Sequence, residues 1–146
     1  MLFGEDTFKG QRVFVSGGGS GIGKSIAHQF LKAGAEVIIA SRKKEKVDKA
    51  AEELSNYGQC HAFPLDIREP EAIDALIEDL KEKNLNIDLL INNAGGQFPS
   101  PAEGISPNGW KAVINTNLNG TFFMSRAFAN AFFIPTSLAR LVERAV

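Results

Sequence analysis

A glycine-rich stretch near the amino terminus has the composition of a phosphate-binding turn. The apolar run 13–15 enters this stretch, and an amphipathic pattern follows it. Such a turn brings backbone N–H groups and a helix N-terminus against a pyrophosphate. Gly17 suits the tight turn, Gly21 close approach of phosphate, and Gly23 close helix–strand packing. The residues expected to form this cradle are Ser16, Gly17, Gly19, Ser20, Gly21, Ile22 and Gly23. The alternative is a surface turn without a ligand.

The residues around this turn predict alternating strands and helices that would position it. Apolar runs predict strands at 11–16, 36–41, 59–65 and 88–92. Helical spacing predicts helices at 22–33, 47–54, 73–80 and 107–118, and Ser106-Pro107 provides a cap and a first-turn proline for the last of them. This order is typical of an α/β protein with a parallel sheet and right-handed crossovers. Together with the glycine turn it predicts a Rossmann-like doubly wound domain.

The residues after the second predicted strand indicate which dinucleotide fits. NAD-binding domains place a carboxylate about 20 residues beyond the glycines, where it binds the ribose hydroxyls. Here Ser41 and Arg42 occupy that region, and Lys43 and Lys44 follow. A guanidinium and a hydroxyl suit a 2′-phosphate, so we expect NADP(H) rather than NAD(H). The alternative is a solvated helix start at 42–46, but cations there would oppose the helix dipole.

Composition and charge limit the classes of partner. The 146 residues are 44% hydrophobic and 23% charged, which suits one globular domain. A formal charge of −1 gives no reason to expect nucleic acid or an anionic membrane as a partner. Because Cys60 is the single cysteine, we expect neither a disulfide nor a metal site. No apolar run has the length of a signal peptide or membrane span, so we expect a cytoplasmic protein.

Several motifs in order resemble those of the short-chain dehydrogenase/reductase family. The stretch 16–23 resembles its glycine motif, with Ser16 where threonine is usual. The pair 66–67 resembles its adenine-contacting position, and 92–95 resembles its strand-four motif beside the cofactor. The stretch 115–120 resembles its helix motif, with Asn117 on the active-site asparagine. The resemblance therefore implies cofactor contacts from Asp66, Ile67, Asn93, Ala94 and Gly95, a catalytic role for Asn117, and strand order 3-2-1-4.

Each of these motif residues also has a purely structural interpretation. Asp66 and Glu69 have the spacing of a capping box, so Asp66 could cap the third helix instead of, or as well as, contacting adenine. Asn93 could serve only turn chemistry after its strand. Asn117 interrupts an apolar helical stretch, where an asparagine needs a hydrogen-bonding partner, so we favour a positioned functional role.

The loop after the fourth strand suggests a subgroup. Residues 93–98 and 100–103 resemble peroxisomal-type trans-2-enoyl-CoA reductases most, and 2,4-dienoyl-CoA reductases less closely. This resemblance implies transfer of a hydride from NADPH to an activated carbon–carbon double bond of an acyl thioester. A 3-oxoacyl reductase would share every other motif and is the alternative.

The family's catalytic tyrosine and lysine have no counterpart in this sequence. The single tyrosine is Tyr57, the residue four positions later is His61, and the last lysine is Lys111. In the family the tyrosine donates a proton as the hydride arrives, and the lysine lowers its pKa. We therefore expect the chain to be inactive by itself. A non-catalytic NADP-binding or interaction module and a fragment without ligand are the alternatives.

The carboxyl-terminal part departs from the family. We divide the sequence into an NADP-binding half-domain, residues 1–129, and a divergent tail, residues 130–146, where the spacing after Pro135 predicts a helix. The family continues with three further strands, so the expected sheet is truncated after its fourth strand and the following helix. That strand becomes an open edge beside a phenylalanine-rich segment, 122–133. We expect self-association through the edge or this segment.

Overall fold

A four-stranded parallel sheet forms the centre of the computed structural model, which describes residues 4–137. The strands are β1 (Arg12–Ser16), β2 (Glu36–Ser41), β3 (Cys60–Pro64) and β4 (Leu89–Ile91), in the order β3-β2-β1-β4. The helices are α1 (Gly21–Lys32), α2 (Lys44–Leu54), α3 (Pro70–Glu82), α4 (Pro107–Ile114) and α5 (Thr121–Phe128), with a short 3₁₀ turn at Ala102–Gly104. The predicted fold class and strand order are confirmed.

The sheet is buried on both faces, which explains why its strands are continuous apolar runs rather than alternating ones. Phe14 and Ile38 face one core, which also contains residues of α3 and α5. Val13 and Val37 face the other core, formed with α1 and α2. Neighbouring strands pair in parallel, and Val13 lies opposite Val37 of β2 and Leu89 of β4. All four strands therefore end at the same edge of the sheet. The loops that contain the sequence motifs lie at that edge.

The helix start signals act as the sequence predicts for α3 and α4. Pro70 occupies the first turn of α3, where its missing N–H costs nothing. The Ser106 side chain accepts a hydrogen bond from the Gly109 N–H at 3.0 Å and so caps α4. Asp66 does not cap α3, because Glu69 holds the N-cap position and makes no side-chain cap bond. The capping-box alternative for Asp66 is therefore wrong.

One helical segment runs from 107 to 137 and differs from the prediction at its end. Two π-helical turns, Asn115–Gly120 and Ala129–Phe133, interrupt it, but the residues flanking them keep right-handed helical angles. Pro135 therefore lies inside residues 134–137 of this helix instead of opening a separate one. Since proline lacks an N–H, a widened turn just before it avoids a missing helical bond. The rest of the predicted helical tail, residues 138–146, lies outside the described residues.

No helix within residues 4–137 combines the length and the apolar character needed to cross a lipid bilayer. The same part of the chain contains no cluster of three histidine, cysteine or acidic side chains that could hold a metal ion.

Candidate functional site

A cleft of about 470 Å³ opens at the carboxyl edge of the sheet. Predicted site residues that line it are Gly17, Gly19, Ser20, Ile22, Gly23, Ser41, Arg42, Asp66, Ile67, Asn93, Ala94 and Gly95. Ala40, Lys46, Leu65, Arg68 and Thr116 complete its wall. The cleft therefore brings together residues from all four strand ends.

The glycine turn is held against the second strand and leaves no room for a Cβ at Gly17, Gly18 or Gly23. The N–H groups of Gly17 and Gly18 both donate to the carbonyl of Ala40, at 2.7 and 3.2 Å. Gly17 has φ +71°, a backbone region that suits glycine. A Cβ at Gly23 would lie within 3.0 Å of both the Gly17 carbonyl and the Asn93 amide nitrogen. Helix α1 can therefore approach the turn only because residue 23 is glycine.

The N-terminus of α1 is open to an anion. Ser20 occupies its N-cap position, but the Ser20 side chain makes no cap hydrogen bond, and the first turn contains no acidic residue. The first N–H groups of the helix thus lack an intrahelical partner and carry the positive end of its dipole. In contrast, the Ser106 hydroxyl satisfies the start of α4. The arrangement at α1 suits a phosphate group.

Ser16 lies beneath the cleft and joins β1 to the loop after β4. Its side chain is 1% exposed. The Ser16 hydroxyl oxygen accepts from the N–H groups of Asn93 and Ala94, at 3.1 and 3.0 Å, and its hydrogen can reach the Ile91 carbonyl at 3.3 Å. Asn93 returns a bond from its amide to the Ser16 carbonyl at 3.0 Å. Ser16 and Asn93 therefore position the cleft floor.

A basic corner lies where β2 ends. Arg42 and Lys46 both line the cleft there. The Ser41 hydroxyl oxygen is buried and has no hydrogen-bond partner within the described part of the chain. A Cβ at Gly19 would come within 2.9 Å of that oxygen, so glycine at this position leaves room for the hydroxyl beneath the turn. A buried hydroxyl without a partner is costly unless a ligand satisfies it.

Asp66 is held by the neighbouring Arg68. The Arg68 Nε lies 2.9 and 3.1 Å from the two carboxylate oxygens, and the Arg68 N–H donates to the same carboxylate at 3.1 Å. The side-chain hydrogen bond from Arg68 is the main reason why the pKa of the Asp66 carboxyl is lowered, and the Arg42 charge adds to it. Asp66 is thus anionic and oriented, and it keeps part of its surface towards the cleft.

Asn117 is clamped to the loop after β4. The Asn117 Oδ1 accepts from the Gly96 N–H at 2.9 Å, and its Nδ2 donates to the Gly96 carbonyl at 2.7 Å. A Cβ at Gly95 would come within 2.8 Å of Asn117 Oδ1. The Asn117 amide therefore uses both of its ends to fix the two backbone polar groups of one residue, Gly96. Thr116, one residue earlier, lines the cleft instead.

The match to a protein-family model completes these observations. Residues 11–142 match the model described as short chain dehydrogenase. The chain belongs to the short-chain dehydrogenase family. The matched range extends past residue 129, and the domain boundary placed there stays a prediction.

Two named relatives are similar over most of this chain. A probable 2,4-dienoyl-CoA reductase of Bacillus subtilis is 41% identical over 118 residues, which are 80% of this chain and 46% of that protein. The peroxisomal 2,4-dienoyl-CoA reductase of Danio rerio is 36% identical over 134 residues, 90% of this chain and 45% of that protein. The chain thus spans about half the length of these relatives. Both are named 2,4-dienoyl-CoA reductases, the subgroup that the loop at 93–103 resembles less closely than it resembles the trans-2-enoyl-CoA reductases.

Solved structures also superpose on most of this chain. The citronellol catabolism dehydrogenase AtuB of Pseudomonas aeruginosa PAO1 aligns with a TM-score of 0.84 and 39% identity, covering 90% of this chain and 54% of that one. The Pseudomonas aeruginosa RhlG structure, an NADP active-site complex, aligns with a TM-score of 0.82 and 32% identity, covering 87% and 50%.

Three predicted site residues do not line the cleft, and some residues that line it were not predicted from the sequence. Ser16 supports the floor from below, Gly21 belongs to the turn without lining the cleft, and Asn117 binds the loop. Lys46 and Arg68 were missed, although Lys46 falls one helical turn after Arg42 and Arg68 two residues after Asp66. A search for cations near the predicted phosphate site would have found both. No comparable sequence signal identifies Thr116.

The histidines and the cysteine lie away from the cleft. The His28 ring is half-buried and packs edge-on against Tyr57, with centroids 4.3 Å apart. His61 sits at the opposite end of the sheet, where its Nε2 lies 2.7 Å from Glu36 Oε1. Burial raises the pKa of the Cys60 thiol to about 12, so this residue is a poor nucleophile at neutral pH.

Proposed function

We propose that this chain forms the cofactor-binding part of an NADPH-dependent reductase. The observation that supports the proposal most is the buried Ser41 hydroxyl, which has no hydrogen-bond partner among residues 4–137 and sits beside Arg42 in the cleft. An incoming 2′-phosphate would satisfy that hydroxyl and pair with the guanidinium. The open N-terminus of α1 offers a second phosphate site in the same cleft.

The residues present fit NADP(H) along its whole length. Residues 17–23 would hold the pyrophosphate through backbone N–H groups, and Arg42 with Lys46 would hold the 2′-phosphate. Residues 66–67 would contact the adenine, and 93–95 would lie along the nicotinamide side. The bound nicotinamide would supply a hydride. The similarity to RhlG, whose structure is an NADP active-site complex, supports this choice of cofactor.

We propose an unsaturated acyl-CoA thioester as the substrate class of the complete protein. Relatives named 2,4-dienoyl-CoA reductase support it, as does the enoyl-CoA reductase-like loop that begins at Asn93. In such a substrate the thioester carbonyl withdraws electrons from the conjugated double bond. One carbon can then accept a hydride and another a proton. A 3-oxoacyl thioester is the alternative, because the cofactor-binding motifs would be the same.

The chain's own residues would bind and orient, and we propose that the chain does not complete turnover alone. Asn117 would act as a positioning residue, since both ends of its amide hold Gly96. Thr116 has the hydroxyl at this end of the cleft, and that hydroxyl donates to the Ala112 carbonyl at 3.0 Å. Among residues 4–137, the side chains that line the cleft include no tyrosine and no histidine that could deliver a proton.

The cofactor proposal is tested by titrating the chain with NADPH and NADH and following nicotinamide fluorescence. We expect NADPH to bind at least about tenfold more tightly, because the 2′-phosphate adds charge-assisted hydrogen bonds. Arg42→Glu should abolish this preference and leave NADH affinity within about twofold. Lys111→Glu, on exposed α4, is the matched charge control. Equal affinities in the wild-type chain, or an undiminished preference in Arg42→Glu, would contradict the NADP assignment.

Turnover is tested separately, by following NADPH oxidation with a trans-2-enoyl-CoA and with a 2,4-dienoyl-CoA. Binding of NADPH without oxidation supports a cofactor-binding part that is inactive alone. Oxidation of NADPH by the isolated chain would contradict the proposal that the chain is inactive alone. Failure to bind either dinucleotide would favour a fragment without ligand.

We propose a cytoplasmic location, which fractionation of cells into cytosol and peroxisomes would test.

A further inference from the structure

The sequence contains two asparagine–glycine pairs, Asn108–Gly109 and Asn119–Gly120. Such a pair is a reactive context for deamidation of asparagine, because glycine has no side chain to hinder attack by its own backbone nitrogen. The two pairs carry the same reacting groups, so a difference between their reactivities in the folded chain comes from the structure. Both lie in the helical segment 107–137, one in its first turn and the other in its interior.

Asn108 lies in the first turn of α4 and is exposed. Its side chain makes no hydrogen bond within the described part of the chain. Ser106 holds this turn, because its hydroxyl accepts from the Gly109 N–H at 3.0 Å and its carbonyl accepts from the Trp110 N–H at 2.9 Å. Helix ends open at a lower free energy than packed helix interiors. The bond to the Ser106 hydroxyl therefore engages the nitrogen that lies next to the free Asn108 amide.

The second asparagine–glycine pair is protected by its surroundings. Asn119 lies in the π-helical turn Asn115–Gly120, and its Nδ2 donates to the Asn115 Oδ1 at 3.0 Å. Gly120 is buried, and a Cβ there would come within 2.7 Å of the Ile67 side chain. Attack at Asn119 therefore requires opening of a packed helix interior. Attack at the first pair requires fraying of a helix start alone.

We propose that Asn108 is a site of spontaneous deamidation that the Ser106 cap controls. When the cap opens, the Gly109 nitrogen loses its proton to hydroxide and attacks the Asn108 Cγ. A bond forms between that nitrogen and Cγ, and the side-chain nitrogen takes up a proton and leaves as ammonia. Water then opens the cyclic imide at either carbonyl, which gives aspartate or isoaspartate. The reaction consumes water, releases ammonia and needs no oxidant, reductant or enzyme.

The two products have different effects on α4 and on the loop that follows β4. Isoaspartate at position 108 adds a carbon to the main chain immediately before Gly109, where a Cβ would already come within 2.9 Å of the Phe98 ring. The contact between this loop and α4 is therefore lost or shifted. Aspartate keeps the length of the main chain and adds a negative charge to a first turn that has no acidic residue, which stabilises the helix through its dipole.

Peptide mapping by mass spectrometry, with enzymatic detection of isoaspartate, tests the proposal on the chain incubated at mildly alkaline pH. In the folded chain we expect Asn108 to react at least about tenfold faster than Asn119, whereas in urea the two should react at similar rates. Ser106→Ala should accelerate the reaction at Asn108 about fivefold, the factor by which loss of a serine cap favours opening of a helix start. Ser106→Thr keeps the hydroxyl and is the matched control, expected within about twofold of the wild type.

Trp110 provides a second measurement, because it is the single tryptophan and its N–H is bonded to the Ser106 carbonyl. Its fluorescence should change in step with the formation of isoaspartate. Equal rates at the two pairs in the folded chain, or equal rates in Ser106→Ala and the wild type, would overturn the proposal. None of the residues 106–110 lines the cofactor cleft, so NADPH titration of the same samples tests the proposed function separately.

Discussion

Gly23→Ala should damage both the stability of the chain and its cradle, although it adds a single methyl group. The new Cβ would fall within 3.0 Å of the Gly17 carbonyl and the Asn93 amide nitrogen. The Gly17 group belongs to the backbone of the turn, so it cannot swing away like the end of a flexible side chain. Either α1 moves away from the sheet or the turn shifts.

The size of the effect follows from two opposing contributions. Overpacking of a well-packed site costs about 1–3 kcal/mol, and contact with backbone puts this site at the upper end. Alanine in place of glycine returns up to about 1 kcal/mol of helix propensity. We therefore expect a net loss of about 2 kcal/mol. Gly21→Ala is the matched control, because no atom of residues 4–137 lies within 4 Å of its added Cβ and the strain comes from its φ of +53°. This variant should cost about 1 kcal/mol.

Urea unfolding followed by far-UV circular dichroism measures the stability of both variants, and NADPH fluorescence measures the cradle. We expect Gly23→Ala to lose at least tenfold in NADPH affinity, because the shift displaces Gly17 and Asn93 together. An unfolding free energy for Gly23→Ala within about 0.5 kcal/mol of wild type, with unchanged affinity, would refute the packing argument.

Three further predictions follow from particular contacts. Ser16→Ala should lower the unfolding free energy by about 2–4 kcal/mol in urea titrations, because two backbone N–H groups lose their shared acceptor; an unchanged midpoint would contradict it. Cys60 should resist iodoacetamide at pH 8 and react on unfolding in urea, since burial raises its pKa to about 12; rapid labelling of the folded chain would argue against this. Arg68→Gln should raise the pKa of Asp66 towards its ordinary value in an NMR titration. Because the folded-state pKa of Asp66 is lowered, its stabilisation exists above the unfolded-state pKa and is lost as pH falls through the folded-state pKa, so acid unfolding of Arg68→Gln should begin at higher pH. An acid-unfolding midpoint of Arg68→Gln identical to that of the wild type would contradict a stabilising Asp66–Arg68 pair.

The fold and the glycine turn could be predicted from the sequence because their signals are local. A buried parallel strand is a continuous apolar run, as at 36–41, and a turn that excludes side chains needs glycine, as at Gly17 and Gly23. Parallel strands also end at one edge, so residues at or just after the end of a strand, such as Ser41 and Arg42, can be predicted to line the cleft without knowledge of their contacts.

Tertiary structure alone decided which partners these side chains use. Arg68 binds the Asp66 carboxylate, although the sequence spacing of Asp66 and Glu69 was compatible with a helix cap. Asn117 hydrogen-bonds to Gly96, whereas the neighbouring Thr116 lines the cleft. The π-helical turn at 115–120 widens the helix and changes the angle between successive side chains, so a 3.6-residue period cannot assign their faces. Periodicity in a sequence determines elements, whereas the direction of each polar side chain depends on groups that only folding brings near.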